Sequence, residues 1–115
     1  APDRIVLAGF SQGGAITLQT GLRHAERLAG LMVLSSYLPL PETLAAEAAP
    51  ATAQTPIYMA HGTEDSVIPI ELARRSRERL AALGYAVQWR EYPMPHSVCM
   101  EEIADISRWL QQVLE

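Results

Sequence analysis

The runs of apolar and polar positions divide this chain into four strands and the helices between them. "RIVLAG" at 4–9 is apolar on both parities, the pattern of a parallel strand covered on both faces. Residues 12–28 read as a helix, with Ile16, Leu18 and Leu22 among good helix formers. "GLMVLSS" at 30–36 is a second strand. The Pro- and Ala-rich connection at 39–56 has room for a short helix at 41–49. "PIYMAHG" at 56–62 is a third strand ending on a Gly turn. A helix at 69–83 follows, with Leu72, Ser76, Leu80 and Leu83 on one stripe and Arg74, Arg75, Arg77 and Arg79 off it; Gly84 is its C-cap. "YAVQWREY" at 85–92 sets Val87 and Trp89 against Gln88 and Arg90, as in a half-exposed edge strand. The last helix, 100–114, turns Ile103, Ile106, Leu110 and Val113 inward, with Glu101 and Glu102 in a first turn that favours acidic side chains.

The resulting order, βαβ(α)βαβα, predicts an α/β fold: about four parallel strands with crossover helices, in one domain over residues 1–115. With strands in sequential order, right-handed crossovers place the first three helices on one face of the sheet. Only the last helix can cross to the other. The first strand then keeps an edge with no partner, a template for self-association through residues 4–9. The chain opens "APDRIV", without an initiator Met, and enters a strand within three residues. It is expected to be a piece of something longer.

Charge and composition narrow the function. A net charge of −4 with scattered arginines excludes nucleic acid as a partner, because phosphate binding needs a basic face. Runs such as "LAGLMVLSSYL" are too short and interrupted for stable membrane insertion. Cys99 is the one cysteine, so no intramolecular disulfide can form; with no signal peptide in view, the cytoplasm is the expected location. No metal is expected, since His61, Asp65 and His96 could cluster but no close-spaced ligand pair occurs.

The candidate chemistry begins at "GFSQGG", 9–14, where a buried strand must become a helix. Gly-x-Ser-x-Gly arises by chance in roughly one chain in thirty of this size, so the motif alone decides little. Its position decides more. A sharp strand–turn–helix with serine at the apex projects the Ser11 hydroxyl above the sheet, with Gly9 and Gly13 giving room beside it. Unpaired amides at the helix start, beginning with the Gln12 N–H, face whatever sits over that hydroxyl and can act as an oxyanion hole.

A serine nucleophile needs a base, and the base needs an orienting acid. In this architecture they follow in the order acid, then histidine, on loops after later strands. "HGTEDSVIP" supplies Asp65 in the loop 62–69, and "YPMPHSV" supplies His96 in the loop 93–99. In a parallel sheet both loops emerge at the same end as Ser11. Asp65 is preferred to its neighbour Glu64. His61, at a strand end, reads as a buried structural histidine, and His24 as a solvated residue of the first helix. Cys99 reads as a packed thiol. Tyr37, Leu38, Val67, Ile68, Met94 and Val98 flank these loops and are candidates to line an acyl pocket.

"GFSQGG", "HGTEDSVIP" and "EYPMPHSVCMEEI" together resemble the bacterial carboxylesterase and acyl-protein thioesterase group, the phospholipase/carboxylesterase family of α/β-hydrolases, over essentially the whole chain. The resemblance implies Ser11 as nucleophile, Asp65 as acid, His96 as base and the Gln12 N–H as one oxyanion donor. It implies no cofactor, and a small ester or thioester as substrate. Short-chain carboxylic esters are the first expectation, with acyl-protein thioesterase or lysophospholipase activity, or a silent fragment, as alternatives. Two departures stand out. Pro95 precedes His96 where the family usually has Gly, which removes a donor and fixes φ. Resembling enzymes have about as much chain again before the elbow, with further strands and the loop carrying the second oxyanion donor. The resemblance therefore implies that these residues are the C-terminal half of an α/β-hydrolase fold.

Overall fold

A computed structural model describes residues 2–39 and 41–115. Four strands, β1 (Val6–Phe10), β2 (Gly30–Leu34), β3 (Ile57–Gly62) and β4 (Val87–Tyr92), form one sheet in the order β1-β2-β3-β4, every pair parallel. Four helices connect or follow them: α1 (Gln12–Gly21), α2 (Pro41–Glu47), α3 (Ile70–Ala82) and α4 (Met100–Leu114). Short 3-10 turns occupy Pro2–Arg4 and Pro50–Thr52.

The two faces carry separate cores. Leu18 and Leu22 from the α1 segment, Leu44 of α2 and Leu80 of α3 meet Leu31, Val33, Ile57 and Met59 on one face. Trp109 of α4, with Ile106, Leu110 and Val113 at its margin, covers Met32, Tyr58 and Ala60 on the other. Three helices on one side and one on the other is the arrangement that same-handed crossovers require. Each fully buried Leu or Ile contributes about 1.5–3 kcal/mol, so strands β2 and β3, buried at nearly every residue, anchor the sheet.

Several expectations need correction. β1 is not covered on both faces: Ala8 and Phe10 are exposed and the rest is half-buried. The Ser11 amide bonds to the Leu34 carbonyl at 2.8 Å. Alternation then turns the peptide groups of Val6, Ala8 and Phe10 toward the opposite edge, where no strand lies among the described residues. The first helix stops at Gly21 rather than at residue 28, because the Leu22 carbonyl accepts from the Ala49 amide (2.9 Å) and the Thr52 hydroxyl (3.0 Å). Tertiary partners thus replace the next intrahelical bond, and His24 lies in the turn beyond. On α3 the buried stripe is Ala73, Ser76 and Leu80, with Leu72 and Leu83 exposed. On α4, Ile103 is half exposed, whereas Glu102 is wholly buried. Gly84 does close α3, at φ 93°.

Candidate active site

The elbow between β1 and α1 holds Ser11 at φ 59°, ψ −123°, a conformation that costs a non-glycine residue of order 1–3 kcal/mol. The surroundings impose it. The Ser11 amide is fixed to β2, and the Ser11 carbonyl accepts from Gly14 (3.0 Å) and Ala15 (3.3 Å) as the helix opens. A Cβ on Gly9 would stand 2.1 Å from the Gly13 carbonyl oxygen, and one on Gly14 would stand 2.6 Å from Ser36 Cβ. Gly13 is different: a Cβ there meets nothing within 4 Å. The close-approach pair is therefore Gly9 and Gly14, not Gly9 and Gly13.

The three residues expected at the sheet's end are brought together in series. His96 Nε2 lies 3.0 Å from Ser11 Oγ, and His96 Nδ1 lies 2.6 Å from Asp65 Oδ2. Asp65, with its side chain fully buried, accepts on Oδ1 from the amides of Val67 (2.8 Å) and Ile68 (2.7 Å). A carboxylate can only accept, so His96 carries its hydrogen on Nδ1 and presents a bare Nε2 to the hydroxyl. Burial pushes the Asp65 carboxyl up, but the bonds from His96, Ile68 and Val67 outweigh it. The net result lies below the usual aspartate value. The ionised form is the one that holds the imidazole.

Backbone bonds lock the two loops to each other: the Thr63 amide donates to the Tyr92 carbonyl (2.8 Å) and the Glu64 amide to the Met94 carbonyl (3.1 Å). Pro95 leaves His96 within reach of both partners. Glu64 is exposed. His61 is buried, with Nε2 2.7 Å from the Ile68 carbonyl. The Gln12 amide finds no acceptor among the described residues, so its N–H is free beside the hydroxyl.

The pocket candidates separate. Leu38 and Met94 are buried, one in each core, and do not line the site. Val67 is exposed and Ile68 half-buried on the Asp65 loop, whose amides matter more than their side chains. A shallow hollow of about 270 Å³ runs from Gln12 along Ala15, Ile16 and Gln19 to Tyr37 and Pro39. Phe10 was missed: its ring centroid lies 4.8 Å from that of His96, tilted by 47°. The motif allows any residue there, so only an aromatic beside the serine hinted at it. Among the described residues, no three His, Cys, Asp or Glu side chains are grouped to hold a metal ion, and no helix is long and apolar enough to cross a membrane.

A parallel sheet with a strained serine elbow and a later carboxylate and imidazole at the same end defines the α/β-hydrolase fold. The sequence model of the phospholipase/carboxylesterase family matches residues 1–114, and the chain belongs to that family. It is 46% identical over 116 residues to acyl-protein thioesterase 1 of Gibberella zeae, covering 98% of this chain and 49% of that protein. The Neurospora crassa acyl-protein thioesterase 1 is 45% identical, with 97% and 47% covered. Among solved structures, Arabidopsis thaliana SOBER1 superposes with a TM-score of 0.95 at 29% identity, over 100% of this chain and 55% of its own. Zea mays acyl-protein thioesterase 2 gives 0.85 at 29%, over 94% and 55%. The chain spans about half the length of the relatives it matches.

Proposed function

We propose that this chain carries the acyl-transfer machinery of a serine hydrolase acting on acyl thioesters and related esters. The observation that carries the reading is the hydrogen-bonded series Ser11–His96–Asp65 on a strained elbow. Ser11 Oγ attacks the carbonyl carbon while His96 Nε2 takes the hydroxyl proton, and Asp65 steadies the imidazolium that forms. The Gln12 N–H stabilises the developing oxyanion. His96 then returns the proton to the departing thiolate or alkoxide. In the second half, water attacks the acyl-enzyme as His96 takes its proton. His96 then gives that proton to the departing Ser11 Oγ, releasing the carboxylic acid and restoring the hydroxyl.

The short-chain carboxylesters expected first from the sequence have less support than thioesters, because the relatives at 45–46% identity are acyl-protein thioesterases. Acyl-length profiling with matched nitrophenyl esters and acyl thioesters tests the choice. A clear preference for the ester series at every chain length refutes it.

A second reading, a module that is silent until more chain completes it, is favoured by the open β1 edge and by the relatives' doubled length. One oxyanion donor fewer costs about 10²–10³ in turnover. Fluorophosphonate labelling of this chain, abolished in Ser11→Ala, supports competence; a folded but unlabelled chain supports the silent module. A light-scattering mass above that of the monomer would support self-association through residues 4–9.

A further inference from the structure

His61 takes no part in the steps above, yet it is 1% exposed and sits at the end of β3 against the acid loop. Its Nε2 is 2.7 Å from the Ile68 carbonyl and 3.4 Å from Asp65 Oδ2. A carbonyl oxygen only accepts, so Nε2 carries the hydrogen, leaving Nδ1 bare, buried and without a partner. The ring was not chosen for two good hydrogen bonds; one edge of it is used and the other is wasted.

What the used edge does is specific. Ile68 is gripped on both sides of its Cα: its N–H donates to Asp65 Oδ1, and its carbonyl accepts from His61. The same nitrogen lies 3.4 Å from Oδ2, the oxygen that receives His96 Nδ1–H, without a hydrogen bond to it. A displaced Ile68 would pull the carboxylate away from the imidazole, and misplacement by 1 Å costs about 10²-fold in rate.

We propose that His61 is a positioning residue whose Nε2–H clamps Ile68 and so fixes the Asp65 carboxylate beneath His96. This rests on the acyl-transfer reading above. Three substitutions separate the donor from the ring. Gln places an amide N–H near the Nε2 position, Asn places one near Nδ1, and Leu offers none. Two readouts follow them: the rate of Ser11 phosphonylation by a fluorophosphonate, and the NMR signal of the proton between His96 and Asp65.

His61→Gln is expected to keep the rate within about fivefold of wild type, and His61→Asn and His61→Leu to lose about 10²-fold. On an ester substrate the loss falls on kcat with KM unchanged. The far-downfield His96 Nδ1–H signal persists in Gln and shifts or broadens in Asn and Leu. Equal behaviour of Gln and Asn, whether both active or both impaired, overturns the proposal. Loss of fold in all three assigns His61 to packing and overturns it as well; if only Leu unfolds, the Gln–Asn comparison decides. If the folded wild type is unlabelled, the chain is the silent module and the NMR signal alone decides the role of His61.

Discussion

Replacing Asp65 with Asn changes one atom and keeps the shape, so its effect can be worked out from the hydrogen bonds alone. Oδ1 accepts two partly buried backbone amides, from Val67 and Ile68, while Oδ2 accepts from His96. If the new NH2 replaced Oδ1, two N–H groups would lose their acceptor, at about 1–3 kcal/mol each. A total of about 2 kcal/mol or more favours the opposite placement at least ~30-fold. The NH2 therefore faces His96 Nδ1 and donates to it. The imidazole must then carry its hydrogen on Nε2, 3.0 Å from Ser11 Oγ. A ring that donates to the hydroxyl cannot take its proton. Turnover should fall by about 10⁴-fold, or ~5.4 kcal/mol. Both amide bonds survive, so the fold should persist. Stopped-flow hydrolysis of a nitrophenyl ester, with thermal melting beside it, measures both. A folded Asn variant within tenfold of wild type would refute the tautomer reasoning.

Other outcomes follow from the same structure. Gly9→Ala, which drives a Cβ into the Gly13 carbonyl, should cost about 1–3 kcal/mol or more in urea unfolding. Gly13→Ala, with open space around it, should be neutral or stabilising by up to about 1 kcal/mol. Burial pushes the Glu102 carboxyl up, the Cys99 amide pulls it back and Asp105 pushes it further, for a net rise. The folded state then holds that proton more tightly than the unfolded one, and stability is lost as pH climbs from about 4.3 through the raised value. Glu102→Gln keeps the shape and removes the titrating charge; its Tm advantage should be small near pH 4 and grow toward neutrality. Asp65 has the opposite sign. Its lowered value gives stability that is present above about pH 3.9 and lost as pH falls through the folded value. The stability gap between wild type and Asp65→Ala should therefore close in acid, and a gap independent of pH would contradict that assignment.

Periodicity and spacing made much of this molecule legible before any coordinates. Four strands, a parallel sheet, helices split three to one across its faces, and the placement of Ser11, Asp65 and His96 at one end all follow from local pattern plus the handedness of crossovers. Where the reading failed, the missing term was competition between distant groups. The first helix could have run to residue 28 on propensity, but the Leu22 carbonyl has better partners at Ala49 and Thr52. Leu38 and Met94 sit beside the site in sequence and in the cores in space. Ile103 fits the apolar stripe of α4 and is exposed, while Glu102, acidic and one residue earlier, is buried.

By itself, then, the order of residues determined the kinds of element, their sequence and the end of the sheet where a hydroxyl, an imidazole and a carboxylate would gather. Those depend on periods of two and 3.6 residues and on chain chirality, all of which are local. Only the folded molecule decided which glycines are crowded, that Phe10 lies over His96, and that His61 reaches Ile68 and Asp65 together. Those are distances between atoms far apart along the chain, and they exist only after the sheet has brought the loops into contact.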